Sequence, residues 1–311
     1  MTRLLALLSA IFLAGPAAAE IRVTDLAGRE VVLEKPAEHL VLGEARHLAV
    51  LALLSDDPVA KIVGWRQNKA LDPATLDAYR QKFPALDAIR PVGAGNRDLS
   101  VETVISLAPD LVVLPLSDAD LPELSRAREQ IEAAGIPVVY VDFFLHPREN
   151  SLKSLRILGA LTGSPDRAEA FATFYESHLA TIRDRLVQAN PPRPDVFMQV
   201  HALASDCCNT VGGGVFNDFI ETAGGHNVGA EVVTGAVGKV GLEYLISRDP
   251  AYFVATGGQH MAARGGLVIG AGVDADTARA SFEALLSAPG YSALSAVREG
   301  TSTSLFYALV E

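Results

Sequence analysis

The sequence predicts an α/β protein of two lobes joined by one long helix. Short unbroken Val/Ile/Leu runs alternate with helical stretches, as a parallel sheet covered on both faces requires. Residues 164–190 carry one helical pattern too long for a crossover inside a small sheet. Beyond it the α/β pattern restarts, and part of it repeats. The chain has 311 residues, 49% hydrophobic and 20% charged, enough for one large domain or two medium ones.

Residues 1–19 hold Arg3 as their only charge, an apolar run over 4–13, and Ala17-Ala18-Ala19 at the end. This reads as a secretory signal peptide cut after Ala19. The run falls short of the ~20 apolar residues of a spanning helix, and no cysteine stands at the cut for a lipid. The mature chain is therefore expected to be exported, soluble and periplasmic. Losing Arg3 takes its formal charge from −11 to −12. So acidic a chain lacks the basic face that nucleic acid demands.

The N-terminal lobe is expected over 20–163. It opens on two short strands around the Gly28 turn. Strand-like runs follow at 39–42, 61–64, 111–114 and 137–142, with helical patterns at 46–54, 74–83, 101–107, 119–134 and 149–161. In 164–190, Ser164 is a candidate N-cap with Pro165 at the first helical position. Apolar residues recur at Ala168, Phe171, Tyr175, Leu179, Ile182 and Leu186, and Asn190-Pro191-Pro192 stops the pattern. About 25 residues at ~1.5 Å each make a rod of roughly 38 Å, suited to a strut between lobes. The C-terminal lobe, 191–311, shows strands at 196–200 and 251–256 and helices at 215–223, 242–247, 276–286 and 291–297.

Residues 99–114 align without a gap on 240–255. Glu102/Glu243, Ile105/Ile246, Ser106/Ser247 and Pro109/Pro250 are identical pairs. Both copies read as short helix, Pro turn and buried strand. Either any helix–turn–strand unit looks alike, or the two lobes share a build.

Enzyme signatures are absent. The chain has no G-x-x-x-x-G-K-[ST], no H-E-x-x-H and no G-x-S-x-G, and its seven histidines show no paired spacing. Its two cysteines exclude a disulfide framework and a four-cysteine zinc module. They are adjacent, Cys207-Cys208. Neighbouring Cα atoms ~3.8 Å apart are close for a disulfide, yet an oxidising compartment favours pairing. The pair is either a vicinal disulfide or two small buried residues.

With the repeat and the strut in hand, the chain resembles the bacterial substrate-binding proteins of ABC importers for ferric siderophores, haem and cobalamin. The likeness runs from about residue 20 to 300. It is carried by Val23-Thr-Asp-Leu-Ala-Gly-Arg-Glu-Val31, by Val92-Gly93 through Leu99-Ser-Val-Glu102 to Leu107-Ala-Pro-Asp-Leu-Val-Val-Leu114, and by Ile131-Glu-Ala-Ala-Gly-Ile-Pro-Val-Val139. It continues in Leu155-Arg-Ile-Leu-Gly159, Ala223-Gly-Gly-His-Asn-Val228 and Leu242-Glu243 to Pro250. The resemblance implies two Rossmann-like lobes on one helical backbone, a ligand held between them, and delivery without catalysis or cofactor. The implied cargo is an iron chelate, foremost a ferric siderophore. Haem or cobalamin is the alternative, as is bare zinc or manganese in a related family. The implied partner is a permease in the inner membrane, with the binding protein a monomer. Glu102 and Glu243 align with the two lobe-surface glutamates that dock on permease arginines. A carboxylate in a helix's first turn also gains from the dipole, so each has a local reason to be there.

Ligand contacts are then expected from loops at the strand ends. Arg46, Arg66 and Arg97 offer guanidinium forks to an anionic chelate, though a chain with 20 Arg and 6 Lys also uses Arg as its ordinary cation. Trp65, Phe143 and Phe144 would stack on a flat chelator, with Trp65 on the cleft rim. Cys207, Cys208 and His260 complete the candidates, and His260 or His201 would ligate iron if haem is bound. No resident metal is expected. An enzyme holding a metal cluster would need several Cys per lobe, and an adhesive module fits the α/β pattern poorly. The chain departs from the family after Gly300, where a strand, an aromatic cleft segment and further helices are expected. The tail is read as a truncation or shifted frame that leaves the C-terminal lobe incomplete.

Overall fold

The computed structural model describes residues 20–67, 71–93, 95 and 98–307. The proposed signal peptide and Arg97 lie outside the described residues. A hairpin of β1 (Ile21–Thr24) and β2 (Glu30–Leu33) opens the chain. The N-terminal lobe then runs β3 (Leu40–Leu42), α1 (His47–Leu54), β4 (Ile62–Arg66), α2 (Pro73–Lys82), β5 (Arg90–Gly93), α3 (Val101–Ser106), β6 (Leu111–Pro115), α4 (Pro122–Ala133), β7 (Val138–Val141) and α5 (Pro147–Thr162). Its five strands form one all-parallel sheet in the order β5-β4-β3-β6-β7.

All residues of β3, β6 and β7 are buried, because both faces are covered. Side-chain alternation splits the core into two layers. Leu40 and Leu42 meet Leu48 and Leu51 of α1 and Leu155 and Leu158 of α5. Val41, between them, meets Val104 of α3 and Leu124 and Ile131 of α4. Each such buried Leu contributes about 1.5–3 kcal/mol.

Helix α6 (Pro165–Ala189) is the strut, 25 residues long. Ser164 is its N-cap residue and Pro165 its first helical residue, though the Ser164 hydroxyl makes no capping bond. Asn190 ends it in the left-handed conformation. At its start α6 lies close on α5: a Cβ on Gly159 would stand 2.5 Å from that of Ala168. At its other end Leu186 packs on the C-terminal lobe. Gly224, at φ +85°, lies against it: a Cβ there would stand 2.8 Å from Leu186 Cδ2, so the leucine side chain would have to shift.

The second lobe comprises β8 (Asp195–Gln199), β9 (Asn209–Val211), α7 (Val215–Thr222), β10 (His226–Asn227), β11 (Val237–Lys239), α8 (Leu242–Arg248), β12 (Tyr252–Gly257), α9 (Ala275–Leu286), α10 (Ser295–Arg298) and β13 (Ser302–Phe306). Its sheet runs β11-β9-β8-β12-β13, with β10 beside β8. β8, β10, β12 and β13 are parallel, while β9 and β11 run antiparallel to their neighbours. Phe197 and Phe253 pack on Leu245, Leu285 and Tyr291 on one face. Met198 and Val200 meet Phe216 and Ile220 of α7 on the other.

The strand that the resemblance places after Gly300 is present: β13 pairs with β12 from Phe253↔Ser302 to Gly257↔Phe306. One expectation is corrected. The helix expected over 291–297 divides into a single turn, Tyr291–Ala293, and α10, because Leu294 between them is extended. The repeated unit is α3–β6 in one lobe and α8–β12 in the other.

Candidate ligand-binding cleft

In a parallel sheet, ligand loops gather at the carboxyl ends of the strands, where strand order reverses. In the first lobe that point lies between β3 and β6. The loop after β3 carries Glu44 and Arg46, and the turn after β6 carries Asp118. Glu44 is fully buried and ion-paired with the Arg46 Nε. The Arg46 guanidinium lies 3.4 Å from the ring centroid of Phe144, beyond the end of β7.

Asp142 builds the Phe143-Phe144 loop. Its carboxylate accepts from the backbone N–H of Phe144 (2.9 Å), Leu145 (2.8 Å) and His146 (3.0 Å) and from Asn150 Nδ2 (2.8 Å). Burial pushes its pKa up, but Asn150 and the three N–H groups outweigh that, and the net shift is downward. Phe143 packs half-buried, its ring edge-on to His47 at 5.9 Å.

Trp65 and Arg66 are not where the sequence suggested. Trp65 is 6% exposed and belongs to the apolar core, not the rim. Arg66 is fully buried, its Nη2 ion-paired with Asp118 and its Nε donating to the Gly43 carbonyl at 2.6 Å. Burial of a guanidinium demands such a partner. The partner is 52 residues away in sequence, which is why Arg66 reads as a surface fork.

In the second lobe the loop after β8 carries His201 at its second position, in the left-handed conformation at φ +48°. Its amide donates to Thr256 Oγ1 at 3.0 Å. His201 Nδ1 and His260 Nε2 lie 3.0 Å apart. The Tyr307 ring, just past β13, is centred 4.8 Å from the His260 ring and 5.2 Å from that of His201. Burial, then nearby Arg264, lowers the His201 pKa and favours the neutral imidazole, the form that ligates metal. A cavity of about 300 Å³ is lined by Asp72 and Pro73 from one lobe and Gln259, His260, Phe306 and Tyr307 from the other, so it opens between the lobes. Tyr307 was missed in sequence because it lies in the tail read as aberrant. The alternation toward Phe306 and the offset from β12 were the available signals.

Cys207 and Cys208 are paired in a disulfide. Cys208 is buried in the second lobe's core, with Cys207 half-buried beside it. Glu102 and Glu243 are exposed in the first turns of α3 and α8. Each helix feeds a parallel strand, so its N-terminus lies at the strands' carboxyl edge and each glutamate stands on the cleft side of its lobe. Among the described residues, no group of three or more His, Cys, Asp and Glu gathers to hold a bare metal ion. Among them too, no helix is long and apolar enough to cross a membrane.

Known proteins share this architecture. A family model described as periplasmic binding protein matches residues 40–303. The chain is 25% identical to the TroA-like periplasmic binding protein FepB from Veillonella parvula, with a TM-score of 0.84 over 93% of this chain and 85% of that one. A cobalamin-binding protein of Halobacterium salinarum is 28% identical over 159 residues, 51% of this chain and 40% of that protein. A vitamin B12-binding protein of Yersinia pestis is 25% identical over 168 residues, 53% of this chain and 55% of that protein. The chain thus spans about half the length of these curated relatives, or less. The family match runs through both lobes and the helix between them, and the chain belongs to the periplasmic binding protein family.

Proposed function

We propose that this protein is an exported solute-binding protein that captures a metal chelate between its lobes and delivers it to an ABC importer permease. The observation that carries the reading is that His260 and Tyr307 line an inter-lobe cavity, with His201 hydrogen-bonded to His260. Imidazole and phenolate are donors for iron and related metals. Two imidazoles and one phenol suffice to complete a chelate with open coordination positions. In the first lobe, the stacked Arg46–Phe144 pair at the carboxyl end of the sheet supplies a cation and an aromatic ring for the chelator in this reading. A ferric siderophore of low denticity fits this description first.

Haem or cobalamin is the second reading. The two curated relatives described above are cobalamin or vitamin B12 binders, and haem iron accepts an axial His or Tyr. Titration separates the readings. A ferric bis-catecholate should bind saturably with a phenolate-to-iron absorption band that Tyr307→Phe removes. Binding of cobalamin or haem alone would move the assignment to the second reading. Export is tested by the mature N-terminus, expected at Glu20.

A further inference from the structure

The disulfide lies at the far end of the loop that carries His201, and its backbone is tied to a residue between β11 and α8. The Cys208 N–H donates to the Val240 carbonyl at 2.9 Å and the Val240 N–H returns a bond to Cys208 at 3.0 Å. Glu243 follows three residues later. Inside the loop, the Leu203 carbonyl accepts from Gln199 Nε2 at 3.1 Å and from the buried Tyr291 hydroxyl at 3.3 Å. That hydroxyl also donates to Gln199 Oε1 at 3.0 Å, and its oxygen lies 4.0 Å from Cys208 Sγ. The sulfur pair, the Tyr291 hydroxyl and the loop carbonyl are thus one packed unit, and none of the unit lines the inter-lobe cavity itself.

We propose that Cys207–Cys208 is a redox-dependent positioning element. Bonded, it seats the loop that carries His201, the hydrogen-bond partner of the cavity-lining His260, and the backbone from which the Glu243 helix starts. Reduced, it releases both. The step is ordinary exchange: an external dithiol gives two electrons and two protons, the S–S bond breaks into two thiols, and the dithiol closes to its own disulfide. One bonded apolar pair then becomes two thiols, each needing its own space beside Tyr291 in a close-packed core where Cys208 is fully buried. The loop must shift to accommodate them, and His201 moves with it. The structure thereby links His201, the disulfide and the proposed docking glutamate through one loop and the segment hydrogen-bonded beside it.

The inference rests on the metal-chelate reading for its binding consequence, but not for the movement of His201. The test therefore has two readouts, on full-length mature protein purified from an oxidising compartment. Free thiols are counted first, under denaturing conditions. Side-chain nitrogen NMR of His201 and His260 is then recorded with and without a dithiol reductant, and for Cys207→Ser/Cys208→Ser. A ferric bis-catecholate is titrated into each form, and thermal unfolding confirms that each is folded. The expected result is no free thiol in the oxidised protein, displaced imidazole signals on reduction, and at least about tenfold weaker probe binding. Titratable thiols in the oxidised protein, or unmoved imidazole signals in a folded reduced protein, would overturn the inference. Equal probe affinity in both redox forms would overturn it too while leaving the chelate reading standing. If no form binds the probe, the chelate reading fails for that ligand and the imidazole signals alone decide the inference.

Discussion

His201 and His260 face each other with Nδ1 of one 3.0 Å from Nε2 of the other, though 59 residues separate them in sequence. One ring donates and the other accepts, so the pair is held without a proton on both nitrogens. Such a pair can open toward a metal held in the cleft. His260→Ala and Tyr307→Phe should each weaken chelate binding by about tenfold or more, near 1.4 kcal/mol. Their thermal unfolding should stay close to that of the parent, since His260 is exposed and Tyr307 half-exposed. Isothermal titration beside thermal melts checks this. Because the His201 pKa is lowered, its imidazole stays neutral to below the ordinary histidine value of about 6.5, and binding should weaken only beneath it.

Asp142 anchors the aromatic loop, and its pKa is lowered in the folded protein. The sign follows by linkage. The contribution is fully present above the ordinary carboxylate value and is lost as pH falls through the lowered one. Asp142→Ala should cost about 2 kcal/mol by removing hydrogen bonds to a buried charge, and it should flatten the acid limb of stability. Urea unfolding between neutral and strongly acidic pH measures both. An unchanged acid limb would show that other carboxylates govern it.

The Arg66–Asp118 pair is buried at the head of the first sheet. Asp118→Ala alone leaves a buried cation and should cost about 3–5 kcal/mol, whereas Arg66→Met with Asp118→Leu should recover most of that loss. Equilibrium unfolding of the single and double variants tests the pair. Equal losses in both would mean that Asp118 acts through other contacts.

Glu102 and Glu243 are exposed, so Glu102→Arg and Glu243→Arg should leave stability within about 0.5 kcal/mol and chelate affinity unchanged. Transport in cells, or stimulation of the permease's ATP hydrolysis by loaded binding protein, should fall sharply for either variant. Full stimulation by the double variant would remove both residues from docking.

Much of the fold was legible in the sequence because covered parallel strands and an amphipathic strut leave local patterns. The runs at 111–114 and 137–142 became β6 and β7, and the 164–190 pattern became α6 within a residue at each end. β5 was missed because Arg90-Pro91 makes it exposed and irregular, and β9 to β11 because they are two or three residues long. The cleft was less legible. Trp65 and Arg66 follow a strand run like many rim residues do, and nothing local reports that Asp118 closes over Arg66. Tyr307 carries no motif at all. It becomes part of the site only because β13 aligns with β12 and sets its ring beside His260.

The central claim is that the cleft binds a metal chelate, and equilibrium titration of the mature protein measures it most directly. The panel is ferric catecholate, hydroxamate and citrate complexes, haem, cobalamin, and bare zinc and manganese, read by calorimetry and visible absorption. The account predicts that one metal chelate saturates a single site at micromolar concentration or below, a binding free energy of about −8 kcal/mol or stronger, and that His260→Ala and Tyr307→Phe weaken it. A cooperatively folded protein that binds none of the chelates, or that binds only bare metal, would contradict it.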